Sequence, residues 1–409
     1  MSRAQASETR VELAVVGGGL VGLSLGIACA EAGLETAVID REDPAATVVE
    51  SFDGRASAIA WGSQQMLAAL GIWRHVGEEA APILEIRVAD AGAPLFLHYD
   101  HREVGDHPLG WIVENRVLRR ALLARVATLP RLRHLAPATV RAVERSTAGA
   151  RVELADGRVL RARLVAAADG KTSPLREAAG IRTVQWSYPQ TGIVATVAHE
   201  RPHRGVAVEH FLPAGPFAIL PLTGNRSSLV WTERAALAPK LMALAAEPFA
   251  AELRRRFGDF LGAVRPVGPR WSYPLSFLHA ERVHAERLVL VGDAAHLIHP
   301  IAGQGLNLGL RDVAALAEVL VDGRRLGLDI GDGAGLARYA RWRSLDVLAL
   351  SAVTDALNRL FSNAIPPVKL ARDLGLAAVN QMPPLKRLFM RHAMGAVGDL
   401  PRLVRGEAL

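Results

Sequence analysis

The chain has 409 residues, half of them hydrophobic and 22% charged, with a formal net charge of +7. That length and apolar fraction support more than one domain around a large core and exclude a disordered or fibrous chain. The single cysteine, Cys29, excludes a disulfide framework and a cysteine-ligated zinc site and fits a reducing compartment.

Arginine carries nearly all the positive charge, and no basic stripe with interleaved aromatics is present, so nucleic acid is not an expected partner. An anionic cofactor and an anionic membrane surface both fit a basic protein.

Residues 13–30, LAVVGGGLVGLSLGIACA, carry no charge. Three consecutive glycines and the flanking Glu12 and Glu31 argue against a leader or a spanning helix, and the expected location is the cytoplasm. The run reads instead as a cofactor unit. Val11 to Val16 predicts a buried strand, and Gly17, Gly19 and Gly22 form G-x-G-x-x-G. A helix follows to Gly33, then a second strand from Thr36 to Ile39 with Asp40 at its end. The first glycine makes the turn, the second lets backbone approach a pyrophosphate, and the third permits close helix packing. Asp40 stands where an acid accepts ribose hydroxyls. The overlapping G-x-S-x-G at Gly22–Gly26 places Ser24 inside the helix, away from the apex a nucleophile needs.

Two further junctions repeat the pattern of a buried strand closing on chemistry. LVAAADG ends in Asp169 and Gly170, and RLVLVGD ends in Gly292 and Asp293. The second opens the stretch GDAAHLIHPIAGQGLNLGLRD. Asp293, His296 and His299 there are spaced like a two-histidine, one-carboxylate set, but spacing alone rarely makes a ligand set, and no metal is expected. Between the junctions, residues 190–275 alternate in strand-like runs that predict an antiparallel sheet. From 334 onward the pattern is helical, ending in the basic, apolar PLKRLFMRHAM, which suits a membrane surface, core capping or a subunit contact equally.

The three motifs together resemble the fingerprints of FAD-dependent aromatic hydroxylases of the p-hydroxybenzoate hydroxylase superfamily. GDAAHLIHPIAGQGLNLGLRD, WIVENRVLRRALL, GRASAIAWGSQQMLAALGIW and the C-terminal PPLKRLFMRHAMG are similar to the ubiquinone-biosynthesis group within it. The resemblance implies an α/β fold: a Rossmann-like FAD-binding domain (1–80, 100–185 and 280–333), an inserted antiparallel-sheet substrate domain (81–99 and 186–279) and a helical C-terminal region (334–409). It implies that Gly17, Gly19 and Gly22 hold the FAD pyrophosphate and Asp40 the adenosine ribose. Arg55 and Asn115 would contact the cofactor. Asp169 and Gly170 would position it, and Asp293 would lie near its ribityl and pyrophosphate portion.

Reduced flavin is negative at its N1–C2 carbonyl edge. A turn through Pro300, Gly303 and Gly305 into a helix at Leu306 and Asn307 would point free backbone N–H groups at that edge. The predicted sheet would then wall the substrate, with Phe211, Phe217, Leu220, Pro221 and Trp231 as candidates. The implied activity is hydroxylation of a polyprenylated phenol or benzoquinol through a flavin C4a-hydroperoxide, using O2 and NADPH or NADH. Other quinone-biosynthesis proteins and the inner face of the cell membrane are implied partners. No catalytic side chain is nominated, since the cofactor carries the chemistry. An FAD-dependent prenyl reductase and a non-catalytic FAD-binding scaffold share these fingerprints and stay open.

Overall fold

The computed structural model describes residues 8–49, 51–90, 96–361 and 379–409. A sheet with a parallel centre organises the cofactor-side half. Glu8–Val16 pairs in parallel with Thr36–Ile39 on one side and Val159–Ala167 on the other, and Leu132–Leu135 and Leu288–Leu290 extend the two flanks. Leu13 and Val15 belong to one apolar cluster, Ala14 and Val16 to another, so both faces of the central strand are covered. That is why its sequence is a continuous apolar run rather than an alternation. The helix Leu20–Glu31 is buried from Gly22 to Ala30. The uncharged stretch 13–30 is therefore a strand, a turn and a helix enclosed by protein. Among the described residues no helix is long and apolar enough to cross a membrane.

A second, eight-stranded sheet runs in the order His296–Leu297, Val264–Ala280, Thr183–His199, Arg226–Arg234, Gly215–Leu222, Val206–Leu212, Glu85–Asp90, Phe96–Asp100. Its pairings are antiparallel except that between Val206–Leu212 and Glu85–Asp90. The helices Ala238–Met242 and Ala246–Phe257 cover one face. A small antiparallel sheet of Ala56–Ala60, Gly110–Glu114 and Ala81–Ile83 stands against the other. Residues 81–99 are thus divided, the first three joining the small sheet and the described remainder the large one.

The stretch that follows Leu290 links the two large sheets. Leu288–Leu290 belongs to the first, and six residues later His296–Leu297 pairs with His279 and Leu278 of the second. The helix Gly305–Arg325 then returns against the first helix, and Gly333–Phe361 packs on it in turn. Pro383–Ala393 follows, and a final turn buries Leu403 and Val404 in the cluster around the first helix.

Candidate active site

Three strand ends converge at the carboxyl edge of the parallel sheet, where open α/β sheets bind ligands. Gly17 N–H donates to Ile39 O (2.8 Å), Ala168 N–H to Val16 O (2.8 Å) and Val291 N–H to Ala167 O (3.0 Å). The turns beginning at Gly17, Asp169 and Gly292 therefore lie side by side, although 275 residues of sequence separate the first from the last.

The first turn shows a division of labour among its glycines. Gly17 sits at φ +105°, and a side chain there would strike the Ala168 carbonyl. A Cβ on Gly22 would lie 1.8 Å from Gly17 O, so the helix can approach the turn only without one. Gly19 differs: its Cβ would meet nothing within 4 Å. It faces open space at the N-terminus of a helix that has no side-chain cap. Gly18, absent from the motif, lies against Asp40, where a Cβ would come within 2.5 Å of the carboxylate. Asp40 itself accepts from Glu42 N–H (3.2 Å) and remains partly exposed at the rim.

Arg55 and Asn115 meet at a residue that sequence reasoning missed. Asp53 is buried and accepts from Arg55 Nε and Nη2 (2.9 Å each), from Arg55 N–H (3.0 Å) and from Asn115 Nδ2 (3.0 Å). Burial alone would raise the Asp53 pKa, but the Arg55 and Asn115 hydrogen bonds hold it at about 2. Ser57 Oγ donates to Asn115 Oδ1 (2.7 Å), and the Arg55 guanidinium lies 5.0 Å above the Tyr273 ring. Asn115 is therefore a buttress behind Arg55.

At the second turn, the Asp169 pKa is raised by burial, and its Oδ1 is buried with no protein partner. Gly170 is at φ +83° with open space where a side chain would be. Arg176 Nη1 donates to Ala294 O (2.9 Å) and Nη2 to Lys171 O (2.8 Å), tying this turn to the third. Asp293 projects from that third turn with its side chain exposed, yet protein crowds it closely enough to raise its pKa by desolvation. The two facts describe an acid on the floor of a groove. His296, Arg55 and Lys171 act on its charge in the opposite sense.

The loop Pro300–Gln304 closes the groove. Gly303 is at φ +61°, with its Cβ position 3.0 Å from Ala58 Cβ, and the helix begins at Gly305 with no side-chain cap. The backbone N–H of Leu308 donates to Gln304 O (2.9 Å). The N–H groups of Gly305, Leu306 and Asn307 precede it, in the first turn, whose donors have no partner within the helix. A Cβ on Gly305 would again meet nothing within 4 Å. Asn307 does not reach the groove with its side chain. It accepts from Ala60 N–H (2.9 Å) and donates to Ala58 O (2.8 Å) and Gly303 O (3.2 Å), fixing the loop to the small sheet. Pro300 is exposed at the start of the turn, and Leu306 is half-buried.

The substrate-wall expectation needs correction. Alternation sends Phe217 and Trp231 to the face covered by Leu241, Phe249, Leu253 and Phe257, away from the groove, and Pro221 shares the parity of Phe217. Phe211 and Leu220 have the opposite parity and lie on the inward face. Phe211 stacks on Phe361 at 3.8 Å, in an apolar cluster that also holds Ile301 of the closing loop. Leu220 packs with Ile112, Leu222, Met390 and Met394. The pattern showed which residues belong to strands; only the pairing shows which face looks inward.

The histidines of the third stretch point elsewhere. His296 Nε2 is 2.6 Å from Asp312, and His299 is fully buried against the Tyr188 ring. Among the described residues the one set of three His, Asp or Glu side chains close enough to share an ion is Glu85, His98 and Asp100, two of which are paired with Arg87 and Arg102.

Two glycine positions open to space at capless helix starts, an orphaned buried carboxylate oxygen and an acid on a groove floor fit an elongated ligand carrying phosphate and a ribose. This is the architecture of a dinucleotide-binding flavoprotein. Residues 10–329 match the FAD binding domain family. Ubiquinone hydroxylase UbiL of Rhodospirillum rubrum is 58% identical over 97% of this chain and 93% of that protein. The 3-demethoxyubiquinol 3-hydroxylase of Escherichia coli is 37% identical over 94% of this chain and 98% of that protein. The crystal structure of p-nitrophenol 4-monooxygenase PnpA from Pseudomonas putida DLL-E4 superposes with a TM-score of 0.79 at 19% identity, covering 95% of this chain and all of that one, a likeness of fold. The chain belongs to the FAD-dependent ring hydroxylases of ubiquinone biosynthesis.

Proposed function

We propose that the groove seats FAD along the three turns, and that a polyprenylated phenol or benzoquinol lies between the flavin ring and the inward face of the eight-stranded sheet. The observation that carries this reading is the apolar cluster that Ile301 shares with Phe211 and Phe361. It joins the loop that leads into the helix start at Gly305 to the sheet face that presents apolar side chains. The Rhodospirillum relative is named a ubiquinone hydroxylase and the Escherichia relative a 3-demethoxyubiquinol 3-hydroxylase, which supports this choice of substrate class.

In this arrangement the turn at Gly17, with Gly22 letting the helix approach it, brings Gly19 and the helix N-terminus to the pyrophosphate, and Asp40 accepts ribose hydroxyls. Asp169, Gly170 and Asp293 line the middle of the cofactor. Arg55, held by Asp53, brings a fixed positive charge into the groove. The N–H groups of Gly305 and Leu306, with Gly303 and Pro300 shaping the approach, stabilise negative charge on the flavin edge. Bound FAD would supply the redox chemistry, passing electrons from NADPH or NADH to O2 so that one oxygen atom enters the ring and the other leaves as water. Phe211, Leu220 and Leu222 orient the ring and keep water away from it. Titrating the holoprotein with a short-tailed polyprenylphenol tests this: a perturbed flavin spectrum is expected, and Leu220→Asp should abolish it.

The same reading places the protein against a membrane surface, since its substrate is lipid-borne. Leu388, Phe389 and Met382 are exposed on or beside the helix Pro383–Ala393, and Arg387 and Arg391 are exposed on that helix. Anionic liposomes should retain the protein, and Phe389→Ser with Leu388→Ser should release it.

A further inference from the structure

Beneath the groove lies a buried set of charges drawn from three elements. Asp312, on the helix Gly305–Arg325, is 1% exposed. Its Oδ2 accepts from Gly292 N–H (3.1 Å) and pairs with His296 Nε2 (2.6 Å), while Oδ1 accepts from Arg343 Nε (2.8 Å). Arg343 also donates to Asp346 (2.6 Å), and Arg311 grips both oxygens of Asp346 (2.8 and 3.0 Å). Arg311 Nη2 then reaches Gln304 Oε1 (3.3 Å).

The ends of this chain of contacts are informative. One end is the backbone of Gly292, beside Asp293. The other is Gln304, the residue from which the helix at Gly305 starts. Both turns assigned to the flavin are thus tied to the same pair, Arg343 and Asp346, on the helix Gly333–Phe361. A buried ionic set is weak evidence for stability, because apolar residues of similar volume often stabilise as well or better. What apolar residues could not do is fix a backbone N–H and a helix start relative to one another.

We propose that Asp312 is a positioning residue for FAD. It holds the Gly292–Asp293 turn through the Gly292 N–H and His296, and Arg343 sets its own position from the C-terminal helix. The proposal rests on the FAD placement given above and adds a residue that does not touch the cofactor. Sequence alone placed Asp312 only as the last letter of a motif, and Arg343 and Asp346 only in a region that reads helical.

The experiment compares Asp312→Asn with Trp231→Phe, a change in the core behind the sheet, as a control for general destabilisation. FAD release on dilution of each holoprotein is followed by flavin fluorescence, with the visible flavin spectrum and the thermal midpoint recorded alongside. Asp312→Asn should release FAD about tenfold faster and shift the flavin spectrum, and Trp231→Phe should lower only the midpoint. Release by Asp312→Asn within about twofold of the parent, or equal acceleration by both variants, overturns the proposal. If Asp312→Asn does not fold, His296→Gln removes one partner and leaves the Arg343 pair in place. Faster release is then expected, and unchanged release again overturns the proposal. A parent protein that binds no FAD sinks the placement itself, a result separate from any difference between variants.

Discussion

Asn115 donates its side-chain amide to Asp53 at 3.0 Å, across 62 residues of sequence, and the same carboxylate clamps Arg55 from below. The pair converts a flexible arginine into a fixed positive charge aimed at Asp293, which feels it electrostatically. Asp53→Asn should therefore loosen Arg55, weaken FAD binding and cost about 1–3 kcal/mol of stability. Denaturant unfolding and flavin titration on one preparation measure both effects. Loss of stability with FAD affinity unchanged would make the clamp purely structural.

The glycines of the first turn separate folding from binding. Gly22→Ala drives a methyl into Gly17 O and should impair folding itself. Gly19→Ala meets nothing in the protein, so the variant should keep the parent's circular dichroism and its apoprotein melting temperature, yet bind FAD about tenfold more weakly or worse. Normal FAD affinity in Gly19→Ala would remove the pyrophosphate from that turn.

The two faces of the large sheet should respond differently to truncation. Trp231→Ala opens a cavity among Phe217, Phe249 and Leu253 and should cost about 3–5 kcal/mol while leaving KM for the aromatic substrate alone. Leu220→Ala should raise KM with a smaller stability loss. Steady-state kinetics and thermal melts on both variants decide the matter, and a KM change confined to Trp231→Ala would reverse the assignment of faces.

His299 gives a pH signature. It is fully buried, its Nδ1 accepts from Ile301 N–H (3.3 Å), and burial lowers its pKa from 6.5 to about 4. A depressed pKa means that the folded state resists a proton the unfolded chain accepts. The contribution is complete above pH 6.5 and is lost as pH falls toward 4, by up to roughly 3 kcal/mol. His299→Gln should flatten that part of the stability curve between pH 7 and 4.5. An unchanged slope would show that His299 titrates normally.

How much of this was legible in the sequence varies by element. The first strand, the glycine turn and Asp40 are local, held within one strand–helix–strand unit, and their spacing carries them. The return of Asp169 and Asp293 to that unit shows as a repeated strand-end pattern, because each is a buried strand followed by a turn. The roles of Asp53, Arg176 and Asp312 were not legible: each depends on a contact to Asn115, Ala294 or Gly292, 20 to 118 positions away, which only the folded chain supplies. Asn307 and Asn115 were read as cofactor contacts because they stand in the right motifs, yet their amides are used within the protein. Phe217 and Trp231 show the limit for strands, where register rather than composition decides which face a residue takes.

Oxygen consumption by the purified holoprotein with NADH or NADPH, with and without a short-tailed 2-polyprenylphenol and with labelled O2, tests the central claim most directly. The account predicts uptake that depends on the phenol and one labelled oxygen atom in the ring of the product. Bound FAD that supports no phenol-dependent uptake with either donor, or that saturates a prenyl chain anaerobically, would contradict it.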